Sequence, residues 1–149
     1  KAKDLSETEV LENWEKLKRK EGRKSIFGGV PKSLPSVVKA YRLQDKAAHV
    51  GFQWDEISEV QDKLKEELEE LQEAIESKDL DKMEDEFGDV LFSMVNLSRY
   101  LKVDPELALQ RTNQKFIKRF QYIEKNAHKP LEDMTLEEMD KLWENAKTK

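Results

Sequence analysis

The chain has 149 residues, 40% of them charged and 37% apolar, with 27 Lys and Arg against 32 Asp and Glu for a net charge of −5. That is one domain's length, with a charged fraction well above the roughly 25% of an ordinary globular protein. The acidic balance excludes a general nucleic-acid binder, and the absence of cysteine excludes disulfides, thiol nucleophiles and Cys-ligated zinc. No run approaches the ~20 apolar residues of a membrane span and no signal-peptide pattern opens the chain, so no membrane contact is expected and the expected compartment is the cytoplasm. Beginning at Lys1 rather than Met, the chain reads as part of a longer protein.

Few turn-makers and many Glu, Lys and Leu mean long helices. Ser6-Glu7-Thr8-Glu9 has the form of a capping box, and Val10, Trp14 and Leu17 follow at the spacing of one helical face, with Gly22 as the stop. The Gly- and Pro-rich stretch from Ile26 to Pro35 is the main linker, and its Phe27-Gly28-Gly29-Val30 reads as a flexible connection rather than a phosphate loop. A second helix is expected from about Pro35 to Val50, with Val38, Tyr41 and Ala48 inward and Gly51-Phe52 as a left-handed cap followed by an apolar residue.

The third helix carries Ile57, Val60, Leu64, Leu68, Leu71 and Ile75 in steps of three and four, an apolar seam near the period of paired helices. A Ser77-Lys78-Asp79 turn follows, with Asp79 as N-cap. The fourth helix then runs through Leu80, Met83, Phe87, Val90, Leu91, Met94, Val95 and Leu101, and so short a turn folds the pair back antiparallel. Asp104-Pro105 opens a fifth helix with Leu109, Phe116, Phe120 and Ile123, and Thr135-x-x-Glu138 caps a last one with Met139, Leu142 and Trp143. With no strand candidate and no repeat, the fold class is all-α, an antiparallel helical bundle whose thin core is completed by dimerisation.

The third and fourth helices also carry the chemistry. Glu67 and Glu70 are i, i+3 on one helix, and Glu86 and Asp89 repeat that spacing on its antiparallel partner. Four carboxylates facing one another repel unless a cation sits between them, and hard divalent cations prefer oxygen ligands. Gly88 between two of the acids is expected to let the helices approach closely. Lys63 lies one turn before Glu67 and Lys82 one turn before Glu86, an order that suits a polyanion bridged by metal, and Lys115 and Arg119 form a further basic pair. Glu-rich helices with Lys one turn away are ordinarily solvated faces, but that reading leaves a mid-helix Gly, about 1 kcal/mol worse than Ala, without a reason. A di-iron bundle is excluded, because neither His49 nor His128 stands in a Glu-x-x-His. Trp14, Trp54 and Trp143 read as core or interface anchors, with nucleobase stacking open to one of them.

Glu66-Glu67-x-x-Glu70 followed by Glu86-x-x-Asp89 resembles the signature of the all-α nucleoside triphosphate pyrophosphohydrolases, and the surroundings are similar to the MazG branch. The resemblance rests further on Gly29-Val30-Pro31-x-x-Leu34-Pro35, Leu43-Gln44-x-Lys46-Ala47-Ala48, Gly88-Asp89-Val90-Leu91-Phe92 and Asn113-x-Lys115-Phe116-x-x-Arg119-Phe120. It is to the C-terminal catalytic module of two-module members, with the N-terminal module outside this chain. The resemblance implies one domain over 1–149: an N-terminal helix and linker to 33, a catalytic core over 34–126 and a C-terminal helix over 127–149. It implies hydrolysis of a nucleoside triphosphate to a monophosphate and pyrophosphate in nucleotide-pool housekeeping, by direct attack of water. Glu67, Glu70, Glu86 and Asp89 would hold Mg²⁺, with Mn²⁺ able to take its place. Lys18, Lys63, Lys82, Lys115 and Arg119 would hold the triphosphate, Trp143 would lie near the nucleotide, and Glu66 would serve a second metal or the attacking water. A homodimer is implied as well. The alternatives are a non-catalytic helical oligomerisation module and a related enzyme with a narrower substrate such as dUTP.

Overall fold

The computed structural model describes the backbone of residues 6–22 and 25–149, and the side chains of all of these except 18–22. The elements in order are α1 (Glu7–Gly22), α2 (Ser36–His49), α3 (Ile57–Ser77), α4 (Leu80–Tyr100), α5 (Pro105–Asn126), a 3-10 turn at Leu131–Asp133 and α6 (Leu136–Ala146). Among the described residues there is no strand, so the fold is all-α. None of their helices is long and apolar enough to cross a membrane. The chain divides into two compact units, Lys1–Pro105 and Glu106–Lys149.

Local chemistry sets most of the ends. Ser6 Oγ accepts from the Glu9 amide at 3.2 Å, and Asp79 accepts from the amides of Asp81 and Lys82. The Thr135 hydroxyl and Glu138 carboxylate cap each other's backbone at the start of α6. At the end of α2 the amides of Gly51 and Phe52 return to the carbonyls of Ala48 and Ala47, with Gly51 at φ 94°. That is the left-handed closure expected of Gly there, since a Cβ would be strained at that angle. The apolar half of the motif differs: Phe52 is 82% exposed. The end of α4 closes the same way with Lys102 at φ 58°.

In the first unit α4 packs against α3 and against α2, and α2 against α1. Buried Glu15 of α1 pairs with Lys46 of α2 at 3.2 Å, an ion pair that ties the two helices together. Two expectations are corrected. The covered stripe of α3 is Val60, Glu67 and Ala74, while Leu68 and Ile75 of the expected seam are 48% and 47% exposed. A heptad places 60, 67 and 74 on one side, so the helix is rotated to bring an acid inward and leave part of its Leu stripe open. The second correction concerns Gly88. A Cβ built there meets nothing within 4 Å, so close helix approach is not what keeps this position small. Of the apolar residues of α5, Leu109 and Phe116 are exposed and Ile123 is buried.

Candidate active site

The antiparallel α3–α4 hairpin draws its acids into two overlapping groups. One carboxylate oxygen from each of Glu67, Glu70 and Glu86 lies within 4.8 Å of the others, and the same holds for Asp85, Glu86 and Asp89. Glu86 belongs to both, so five carboxylates run across the hairpin. Asp85 is the member that sequence reasoning missed; its i, i+4 spacing from Asp89 was the available signal.

Glu67 is 6% exposed, and Glu67 Oε2 and Glu86 Oε2 are both buried without a hydrogen-bond partner. A buried carboxylate oxygen left unpaired is costly, and two in one acidic group can be satisfied together by a cation. The donors are all hard oxygens, the set that suits a small divalent ion rather than a soft transition metal.

Electrostatics describe the same strain. Repulsion from Glu67, then loss of water and the charge of Glu86, hold the Glu70 carboxyl above the usual carboxylate range. Asp89 is also raised, by loss of water first and by the charge of Glu67 next. Lys63 answers part of this charge: its Nζ lies 3.1 Å from Glu67 Oε1 and 3.4 Å from Glu66 Oε1. The hydrogen bond to Glu67 raises the lysine's pKa, which keeps it protonated.

A cleft of about 770 Å³ adjoins this cluster, with Lys63, Glu67 and Asp89 in its wall. Its size falls within the ~300–1,000 Å³ of small-molecule sites. Buried Gln44 of α2 lines it and donates from Nε2 to the Phe92 carbonyl of α4 at 2.8 Å. The rim is held from the end of α4: the Tyr100 hydroxyl donates to the Trp54 carbonyl at 2.6 Å, and Arg99 donates to Gln53 and Asn96. Gln44, Asn96 and Arg99 are lining residues that sequence reasoning passed over. Gln44 sits three residues after Tyr41 on the expected inward face, a polar side chain where an apolar one belongs.

The other expected residues lie as follows. Glu66 and Lys82 are exposed, and Lys82 is not in the cleft wall. The Lys18 side chain lies outside the described residues. Lys115, Arg119 and Trp143 belong to the Glu106–Lys149 unit. Within it the Arg119 guanidinium lies 5.5 Å from the centre of the Trp143 ring, a cation–π contact, and Phe116 packs between Phe120 and Trp143.

Residues 56–123 match the MazG nucleotide pyrophosphohydrolase domain, a span that contains all five acids. The chain is 44% identical over 140 residues to the nucleoside triphosphate pyrophosphohydrolase/pyrophosphatase MazG of Thermotoga maritima, covering 90% of this chain and 54% of that protein. It is 37% identical over 149 residues to the nucleoside triphosphate pyrophosphohydrolase of Escherichia coli, covering 94% and 57%. It is 46% identical over 148 residues to the uncharacterized protein YabN of Bacillus subtilis, covering 95% and 30%. The chain therefore spans little more than half the length of the two named hydrolases.

Proposed function

We propose that the chain is a member of the MazG family, whose domain residues 56–123 match, and that it hydrolyses nucleoside triphosphates between the α and β phosphates. Water attacks the α phosphorus, the bond to the bridging oxygen breaks, and pyrophosphate leaves the nucleoside monophosphate. One observation carries this reading: two buried, partnerless carboxylate oxygens within a five-acid cluster that borders a nucleotide-sized cleft. A solvated acidic face would leave neither oxygen buried and unpaired.

Glu67, Glu70, Glu86 and Asp89 are the proposed ligands of Mg²⁺, for which Mn²⁺ can stand in. When bound, the ion supplies positive charge to the phosphate oxygens and acidity to water. The protein's own groups do the rest. Lys63 fixes Glu67 by the 3.1 Å pair and remains charged, so it can meet phosphate oxygens without a proton to recruit. Glu66, exposed and 3.4 Å from the same ammonium, is assigned to a second metal or to the attacking water. Lys18, Lys82, Lys115 and Arg119 are assigned to the triphosphate, and Trp143 to the nucleotide, on motif alone. Positive side chains at the leaving pyrophosphate stabilise charge as it develops.

The same reading makes residues 1–149 one functional domain, in the cytoplasm, serving nucleotide-pool housekeeping. It also makes the working form a homodimer. Phe87, Leu91 and Met94 of α4 and Leu68 and Ile75 of α3 are exposed along the hairpin, the kind of apolar stripe that a second copy covers. Titrating Mg²⁺ into a mixed set of nucleoside triphosphates and following pyrophosphate tests the proposal. Release should require the metal and vanish in Glu86→Gln. No release at any metal concentration, with dUTP in the set, would favour the helical oligomerisation module.

A further inference from the structure

Asp89, Ser93 and Asn96 fall at i, i+4 and i+7 on α4 and all three line the cleft, so one face of the helix runs from the acids along its wall. Ser93 is 9% exposed. Asn96 is oriented by its neighbour: Arg99 donates to Asn96 Oδ1 from Nε at 3.4 Å and from a terminal nitrogen at 3.2 Å. A guanidinium can only donate, so the oxygen must face Arg99, and Asn96 Nδ2 is left over as a donor. Neither that nitrogen nor the Ser93 hydroxyl has a hydrogen-bond partner among the described residues, and neither is sealed from solvent. The wall's other amides do not compete with them. Gln44 gives its Nε2 to the Phe92 carbonyl and its Oε1 is shut off from solvent, while Gln53 Oε1 accepts from Arg99.

A group held between Ser93 and Asn96 lies one to two helical turns from Asp89. In a triphosphate bound at the acids that group is the sugar, which is joined to the α phosphorus through one oxygen and one carbon. Its polar substituents are hydroxyls. The 3′-hydroxyl stands on the ring carbon next to the one that carries the phosphate arm, and the 2′-hydroxyl lies one carbon further, towards the base. A hydroxyl both accepts and donates, so it can take the proton of Asn96 Nδ2 and give its own to Ser93 Oγ.

Resting on the pyrophosphohydrolase reading, we propose that Ser93 and Asn96 form a sugar subsite that binds the 3′-hydroxyl of the substrate, with Arg99 as the positioning residue that fixes the Asn96 amide. The contact reads no base and ignores the 2′ position, so it serves ribonucleotides and deoxyribonucleotides alike. It sets how deep the nucleotide sits in the cleft, which holds the α phosphorus at a fixed distance from the acids. A nucleotide with hydrogen at C3′ loses both bonds.

The test compares kcat/KM for dATP against 2′,3′-dideoxyATP and for dCTP against 2′,3′-dideoxyCTP, at saturating Mg²⁺, in the wild type and in Ser93→Ala. The wild type should favour the 3′-hydroxyl by about tenfold or more in both pairs, and the variant should cut that ratio about fivefold. A merely structural Ser93 lowers both members of a pair together and leaves the ratio standing, which overturns the proposal. Equal values within each wild-type pair overturn it without any variant, and so does a ratio confined to one base. ATP and dATP should differ little; a preference for ATP as large as that against the dideoxy analogue would put the contact at the 2′-hydroxyl and overturn it too. Calorimetric binding of the same nucleotides separates this inference from the one beneath it. Affinities ranked by the 3′-hydroxyl without turnover keep the subsite and remove the reaction; turnover with unranked affinities and rates removes the subsite alone.

Discussion

Glu70 on α3 and Glu138 on α6 are both helical carboxylates one turn from other charged groups, yet their environments push them in opposite directions. Glu70 is held up, chiefly by the charge of Glu67. Glu138 is held down, first by the Thr135 backbone amide and then by Lys129, whose Nζ lies 3.1 Å away. One acid is surrounded by donors at a helix start and completes local structure there. The other is surrounded by acids, which local structure does not require. The contrast separates carboxylates that serve the fold from carboxylates that wait for something the chain does not contain.

The largest effect expected from this contrast is on turnover. Glu67→Gln should lower pyrophosphate release by about a hundredfold or more, because it removes a proposed ligand carrying an unpaired buried oxygen. Its melting temperature should hold or rise, since one of the mutually repelling charges is gone. A variant that loses activity and fold together would place Glu67 with Glu138 after all.

Next in size is the response to metal. A ligand that binds only the folded state at about 100 times its Kd adds about 2.7 kcal/mol. Mg²⁺ should therefore raise the melting temperature of the wild type markedly and that of Glu67→Gln much less. An equal shift in both would mean that the ion binds elsewhere.

At α6 the expected loss is smaller and purely structural. Thr135→Ala removes the hydroxyl that accepts from the Glu138 amide, and should cost about 1 kcal/mol in denaturant titrations while leaving kcat and KM unchanged.

The smallest effect is the dependence on pH, and the two sites differ in its sign. Glu70 and Asp89 have raised values, so the cation-free folded state keeps their protons more readily than the unfolded chain. Ionising them costs stability, a cost that is complete above the raised values and disappears as pH falls below the ordinary carboxylate range. Glu138 is depressed, so its contribution is present above the ordinary range and fades as pH falls through its lower folded value. In chelator, melting temperature should climb as pH falls from neutral toward the ordinary carboxylate range, and Glu67→Gln should flatten that climb. A climb of the same height in saturating Mg²⁺ would detach it from the acid cluster.

The sequence made the helices plain, because their punctuation is chemical and local. Ser6, Asp79, Thr135 and Gly51 each act within four residues, and each takes the role that its side chain, or the lack of one, dictates. The i, i+3 pairs of acids were legible for the same reason. What lay beyond reach depends on contacts between helices. A stripe of Leu marks an apolar face without saying whether this chain covers it, so Leu68 and Ile75 passed for core. The same periodicity gave no reason to bury Glu67. Gln44 was legible only as part of a motif, with no role, because its partner is a carbonyl 48 residues further along the chain. Gly88 misled in the other direction: the cost of a helical glycine argued for a neighbour that is not there.

That open space has a practical side. The chain contains no cysteine, so a thiol introduced at position 88 would be unique and could be modified alone. Its Cβ would meet nothing else of the chain within 4 Å, on the helical turn that carries Glu86 and Asp89. A fluorophore attached there would ride on the backbone that presents both acids without standing between them. Changes in its rotational freedom or emission would time the arrival and departure of a cation in a single molecule.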